Sequence, residues 1–344
     1  MSHAGRSGMH HAEDVRLECG AVLPSLTTAY TTLGDLNAER SNAVLVLHGY
    51  TTGPTMLFPG TSAAEGSWSG LVGPGRALDT QRFFVICPNM LGSSYGSTGP
   101  KSVDPRTGRP YGMAFPPITL GDIVAAQVRL LDSLGIDRTW AVAGPSLGAM
   151  QAFAWATRYP ERVARVVAAV GAPYCPPGVL RASEVLAQLA SDPAWNGGHY
   201  APGALVATLT RMRIATLEHY GIGAELAARF PEAPPRRREI ERLALEWAQE
   251  FEPSALVTLA RAAEVFDVRT ELARIRAPLL YVLSRTDEMF PPSLARELAP
   301  RFDAAGLHWN YLELASDKGH LASGADSALW ADALADFIAA PAPP

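Results

Sequence analysis

The run Gly144-Pro145-Ser146-Leu147-Gly148 limits what this chain can fold into more than any other stretch. Residues 140–143 before it are a short apolar run of strand length. Residues 149–159 after it are rich in Ala, Met, Phe and Trp and stop at Pro160, as a buried helix would. G-x-S-x-G at a strand-to-helix junction forces a sharp turn that only small neighbours allow. The serine hydroxyl is lifted above the sheet edge, and the next helix aims its first amides at any negative charge forming there. In a chain with 30 glycines the pattern alone would also describe a Gly-rich turn. The flanking strand and helix favour the nucleophile reading.

The rest of the chain reads as an α/β protein. Residues 43–47 are a continuous apolar strand of the kind buried on both faces of a parallel sheet. Further strands are expected at 22–33, 83–87, 163–170, 279–283 and 308–314. Residues 122–134 read as an amphipathic helix with Ile123, Ala126, Leu130 and Leu134 on one stripe and Gly135 as its stop. A last helix is expected near 327–339, and the first twelve or so residues read as a frayed tail. Between 176 and 265 the strand–helix alternation stops. Helices are expected there at 182–189, 206–220 and 240–251, split by breaks such as 231–235. The chain therefore divides into a first core part (1–175), a helical lid over the sheet's carboxyl edge (176–265) and a second core part (266–344).

With 344 residues, 48% of them hydrophobic, the chain can bury a large core. A net charge of −5 gives no basic footprint for nucleic acid. The Arg236-Arg237-Arg238 run reads as a solvated helix start. No apolar stretch reaches the roughly 18 residues of a membrane span, and the N-terminus lacks the apolar stretch of a secretory signal. A cytoplasmic protein with small-molecule substrates is the expectation. Cys19, Cys87 and Cys175 form no disulfide framework or metal spacing. Cys87 reads as core, and neither a metal nor a bound cofactor is expected.

A serine nucleophile needs a base, and the base needs an orienting acid. On this architecture the order is Ser, then acid, then His, on loops after later strands. Of the eight histidines, His3, His10 and His11 lie in the tail and His48 lies upstream. His199 and His219 lie in the helical segment, and His308 opens a strand. His320 alone follows the last strand by a short loop. Asp287, in the loop that follows the strand at 279–283, is the acid in preference to Glu288; capping the turn before Pro291-Pro292 is its alternative role. The oxyanion donors would be the backbone N–H groups of Leu147 and of Tyr50, in the turn after the 43–47 strand. His48-Gly49 could also serve as a tight turn alone.

These residues bring out a resemblance to the homoserine O-acetyltransferases, a branch of the α/β-hydrolase fold. It is carried by residues 42–48, 73–80, 84–89, 96–100, 146–151, 192–198 and 209–212. Thr286-Asp287 with Phe290-Pro291-Pro292, and Ser316-Asp317 with Gly319-His320, complete it. The resemblance implies transfer of a short acyl group from acyl-CoA, through an acyl-serine, to a hydroxyl. Coenzyme A then enters as substrate, and a homodimer through the lid helices is expected. It also implies substrate contacts for Thr51, in the oxyanion turn, and for Arg211, matched to the lid arginine that faces the acceptor carboxylate. A surface position is the alternative for Arg211.

Three positions depart from the family pattern. Leu321 follows the histidine where the family has Asp, Pro145 precedes the nucleophile where Gly is usual, and Glu288 replaces a usual Trp. All three surround the acyl site, a distribution that resembles retained chemistry with an altered acceptor. A hydrolase on the same scaffold, with water in place of the alcohol, is the second reading. A binding protein using a hydrolase-like pocket is the third; the presence of Ser146, Asp287 and His320 weighs against it.

Overall fold

The computed structural model describes residues 5–60 and 67–340; His3 lies outside them. One sheet of 8 strands organises the chain. Its strands are β1 (Arg6–Arg16), β2 (Val22–Leu33), β3 (Ala43–Val46), β4 (Phe84–Pro88), β5 (Ala141–Pro145), β6 (Val166–Ala169), β7 (Leu279–Ser284) and β8 (Trp309–Leu314). Their spatial order is β1-β2-β4-β3-β5-β6-β7-β8. β1–β2 and β2–β4 are antiparallel, and every other pair is parallel.

The α-helices longer than one turn are α1 (Leu120–Ser133), α2 (Leu147–Arg158), α3 (Ala182–Ala190), α4 (Val206–Tyr220), α5 (Ile222–Ala227), α6 (Ala233–Glu250), α7 (Pro253–Glu264), α8 (Ser293–Ala304) and α9 (Ala331–Ala339) among the described residues. Alternate side chains of the buried strands feed two cores, because successive residues of a strand point to opposite faces. Leu45, Val142, Val166 and Tyr281 pack with Ile123 of α1, Phe153 of α2 and Phe302 of α8. Val44, Val46, Ala143, Val167 and Val282 pack with Trp68, Trp330, Leu334 and Ile338. With helices on both faces, a continuous apolar strand such as β3 has no polar side to show. This is an α/β-hydrolase fold.

Three local expectations need correction. The start of the chain is not frayed over its described part: residues 6–16 form β1, paired with β2 from Arg6↔Thr32 to Arg16↔Val22. This edge strand is held by main-chain bonds and has little apolar surface to signal it; Met9 is 62% exposed. The break expected at 231–235 is displaced: residues 228–232 separate α5 from α6, which begins at Ala233 with Pro234 and Pro235 in its first turn, where a missing N–H costs no helix bond. Arg237 on that turn is solvated and paired with Glu218 and Glu241. Finally, α5, α7 and α8 were not expected; α7 is capped by Glu252 accepting from Ser254 N and has Pro253 as its first residue. Cys87 is buried, as expected, and Cys19 and Cys175 are also free thiols.

From β3 the chain steps to β4 on one side, and from β5 it proceeds through β6, β7 and β8 on the other. The point of reversal lies between β3 and β5. In open parallel sheets the crevice beyond the carboxyl ends of such strands is where ligands bind. The turn after β3 and the turn after β5 both open there. No helix among the described residues is long and apolar enough to cross a membrane.

Candidate active site

Ser146 follows β5 and precedes α2 in a backbone conformation unusual for a side-chain-bearing residue, φ 57° and ψ −124°. Strain of this kind persists only where the surroundings enforce it. Here the backbone of β3 passes so close that side chains are excluded on both flanks of the serine. A Cβ on Gly144 would lie 2.5 Å from the Leu47 carbonyl oxygen, and one on Gly148 would lie 2.1 Å from it. The two glycines of the pattern are thus required by the approach of β3.

The structure brings Ser146, His320 and Asp287 into one hydrogen-bonded line. His320 Nε2 lies 2.8 Å from Ser146 Oγ. His320 Nδ1 lies 2.8 Å from Asp287 Oδ2. A carboxylate only accepts, so Nδ1 carries the hydrogen and the Nε2 lone pair faces the serine hydroxyl. Asp287 also caps its own turn: Oδ1 accepts from Met289 N at 2.9 Å and Phe290 N at 3.2 Å. The two roles considered for Asp287 therefore coexist, one on each oxygen. Glu288 is exposed.

The loop carrying His320 is fixed from several sides. Gly319 N donates to Thr286 Oγ1 at 3.1 Å, and that hydroxyl donates to Ser316 O at 3.0 Å. Phe290 stacks on the imidazole at 5.7 Å and Tyr220 lies 5.0 Å from it, centroid to centroid. Lys318 pairs with Glu225 of α5 and with Asp326, each at 2.8 Å. These bonds tie the imidazole to both the sheet and the helices between β6 and β7.

Leu147 is the first residue of α2, where the helix offers no acceptor for the backbone N–H. Tyr50 lies in the turn after β3, and the cavity beside Ser146 is walled by Gly49, Tyr50, Thr51, Tyr220, Leu321 and Ser323. That cavity measures about 30 Å³, the scale of one or two waters. His48 holds the turn from below. It is fully buried, its Nδ1 lies 2.9 Å from Gly49 O, and its Nε2 accepts from Met90 N at 3.2 Å. Burial is the main cause of a pKa pulled down to about 4, so this ring is neutral. Gln151 of α2 adds a bond to His48 O at 3.1 Å.

Three helices clasp the same turn from above. Arg213 of α4 donates to Thr51 Oγ1 at 2.8 Å, Trp247 of α6 donates to Thr51 O at 2.9 Å, and Tyr50 OH donates to Leu256 O of α7 at 2.6 Å. The Arg213 guanidinium also sits 4.6 Å from the centre of the Trp247 ring. A second cavity of about 260 Å³ lies among these residues; Tyr50, Thr51 and Tyr220 wall both cavities, while Arg213, Trp247 and Met289 line the larger one. Burial lowers the Arg213 pKa to about 10, which leaves it charged at neutral pH.

Arg211 is not in this cluster, and its expected place there is corrected. It is exposed and donates to Thr208 Oγ1 at 2.8 Å. On α4 the buried stripe is Leu209, Arg213, Leu217 and Tyr220; a residue two positions before Arg213 points about 200° away. The cation facing the site is Arg213. Helical spacing from Leu209 to Tyr220 was the signal that could have found it. Trp247 and Tyr220 were likewise missed, since their part in the site depends on packing between distant helices.

Residues 42–323 match the family described as alpha/beta hydrolase fold. The homoserine O-acetyltransferase of Geobacter sulfurreducens is 34% identical over 348 residues, covering 95% of each chain. The homoserine O-succinyltransferase of Methylibium petroleiphilum is 38% identical over 334 residues, 88% of this chain and 86% of the relative. Among solved structures, the homoserine O-acetyltransferase from Bacillus anthracis superimposes with a TM-score of 0.88 at 25% identity, over 98% of this chain and 99% of the other. Esterase E22 gives 0.86 at 25% identity, over 97% and 100%. Sequence and fold agree: the chain belongs to the homoserine O-acyltransferase family of enzymes, within the alpha/beta hydrolase fold.

Proposed function

We propose that this enzyme transfers a short acyl group from acyl-CoA to a hydroxyl-bearing small molecule through an acyl-Ser146 intermediate. The observation that carries the reading is the hydrogen-bonded line from Asp287 through His320 to Ser146, with 2.8 Å at each step. His320 Nε2 takes the Ser146 proton as Oγ attacks the thioester carbonyl. The resulting oxyanion is held by the backbone N–H groups of Leu147 and Tyr50. Coenzyme A departs as the thiol, taking the proton back from His320. An acceptor hydroxyl then gives its proton to His320 and attacks the acyl-serine, and Ser146 Oγ recovers that proton as the ester leaves.

The small cavity at Ser146 favours a short acyl group, and Arg213 supplies a cation for an acceptor carboxylate. The steps call on protein groups alone, with coenzyme A as a substrate. A cytoplasmic homodimer, paired through a lid formed by residues 176–265, belongs to the same reading. Hydrolysis is the second reading, favoured by the likeness to esterase E22 and by Leu321 in the wall beside Ser146.

The test is to incubate the protein with acetyl-CoA, with and without hydroxyl acceptors, and identify adducts and products by mass spectrometry. An acetyl adduct on the wild type but not on Ser146→Ala, and acetyl ester formed with an acceptor, is the expected result. Free acetate released at the same rate whatever the acceptor would overturn transfer in favour of hydrolysis.

A further inference from the structure

We infer that the ring of Tyr220 sets the length of the acyl group, by standing between Ser146 and a larger space able to hold a longer chain. The inference rests on the acyl-Ser146 reading above and deepens it by naming the residue that selects the acyl group. Ser146 lines the cavity of about 30 Å³ and not the one of about 260 Å³. Among the described residues, the two walls share Tyr50, Thr51 and Tyr220 alone. An acyl group on Ser146 Oγ therefore meets one of these three before it can reach the larger space.

Two of the three are tied in place. The Tyr50 hydroxyl donates to Leu256 O at 2.6 Å, and Thr51 is held at its hydroxyl by Arg213 and at its carbonyl by Trp247. Tyr220 closes the rest of the partition with its side chain. It is the last residue of α4. A Cβ on Gly221, the next residue, would lie 2.6 Å from Lys318 O, so the end of α4 is pressed against the loop that carries His320. The phenol ring lies 5.0 Å from the imidazole, centroid to centroid, and Tyr220 is 8% exposed. Burial raises the pKa of its hydroxyl, against the opposing effects of Arg213 and Thr51. The barrier is thus a neutral phenol packed beside the catalytic base.

With the ring in place, the space beside Ser146 is that of a methyl group. A longer tail has to displace the ring, and a hydrophobic site discriminates by about ten-fold or more against one methylene it cannot house. The acceptor passes the same wall, but a reactant in transit needs the ring to swing only briefly. A long acyl tail would hold the ring away from His320 for the life of the intermediate. Once the ring is removed, the space behind it suits an alkyl chain. Val179, Leu180, Val185, Met212 and Met289 are in its wall, and each methylene moved from water onto such a surface is stabilising.

The experiment uses the full chain with p-nitrophenyl acetate, butanoate and octanoate. Ser146 Oγ bonds to the acyl carbon, its proton passes to His320 and nitrophenolate leaves. Nitrophenolate release, corrected with Ser146→Ala, gives kcat/KM, and intact mass gives the acyl adduct. Wild type is expected to prefer acetate over butanoate by at least about ten-fold in kcat/KM. Tyr220→Ala, checked for folding by thermal melting, is expected to raise the octanoate-to-acetate ratio by at least about ten-fold. Tyr220→Phe keeps the ring and is expected to keep the wild-type ratio. The ratio separates a barrier from mere support of His320, because lost support slows all three esters alike. Wild type that takes octanoate as readily as acetate would overturn the inference. So would a folded Tyr220→Ala with the wild-type ratio, or a Tyr220→Phe that matches Tyr220→Ala. If Tyr220→Ala does not fold, Tyr220→Leu is held to the same criterion. An acyl adduct on Ser146 with no dependence on chain length refutes the role of Tyr220 only. No adduct, with no release above that of Ser146→Ala, removes the acyl-serine reading and the inference with it.

Discussion

Acid should destabilise this protein through His48, although His48 takes no part in the proposed proton transfers. The ring is fully buried, accepts from Met90 N at 3.2 Å and bonds Gly49 O at 2.9 Å. Desolvation pulls its pKa from 6.5 down to about 4, against the smaller upward effects of Gly49 and Asn89. In the unfolded chain the same group protonates near 6.5. Below that pH the unfolded state binds a proton that the folded state refuses until about pH 4. The stabilisation is therefore complete above 6.5 and is lost progressively as pH falls through that window. Its size is about 3 kcal/mol for the full interval. Urea unfolding of wild type and His48→Gln between about pH 7.5 and 4.5 isolates it, since every other titrating group is common to both proteins. Wild type should lose about 2 to 3 kcal/mol more than the variant across that range. Parallel curves would refute the account of His48 as a buried neutral ring.

Three further perturbations address the site directly. Asp287→Asn keeps an acceptor for the turn amides but presents an N–H to His320 Nδ1, which forces the hydrogen onto Nε2; turnover should fall by about 10⁴-fold with the fold intact, and a loss under ten-fold would argue against the proposed role of His320. Gly148→Ala places a Cβ 2.1 Å from the Leu47 carbonyl oxygen; urea unfolding should register a loss of about 1–3 kcal/mol, and an unchanged midpoint would mean that β3 can yield. Lys318→Met leaves Glu225 and Asp326, each 2.8 Å from the ammonium, without their shared cation; stability should drop by about 1–2 kcal/mol. In the same variant kcat should fall more than KM rises, because the loop bearing His320 loses its tie to α5. A change in KM alone would instead place Lys318 in substrate binding.

The α/β architecture and the nucleophile turn were legible because each is written in local pattern. β3 is a continuous apolar run, and Gly144 and Gly148 are small because β3 passes against them. Chain order narrowed the histidines to His320 and the acids to Asp287, and the fold brings both to Ser146. What could not be read depends on packing between distant segments. β1 is polar and gains its place from pairing with β2, which no hydrophobic period announces. Matching a motif put Arg211 toward the site, yet the buried stripe of α4 selects Arg213; helix geometry was the better guide. The clasp of Trp247 and Leu256 on the β3 turn joins residues 196 and 206 positions apart, beyond the reach of any local rule.

That clasp also locates where transfer and hydrolysis part company. The proposed proton relay is the same for an alcohol and for water, so it cannot choose between them. Tyr50, however, whose backbone N–H is the proposed oxyanion donor, has its hydroxyl tied to α7, and its neighbour Thr51 is tied to α4 and α6. The helices that enclose the larger cavity are thus the helices that hold the oxyanion turn in place. A movement that admitted bulk water through them would loosen the same donor on which acyl chemistry depends. Fold likeness carries no vote on the acceptor, because function resides in the side chains of the site. In the proposed reading the acceptor would enter past residues that line these two cavities, Leu321 beside Ser146 and Arg213 and Met289 in the larger one.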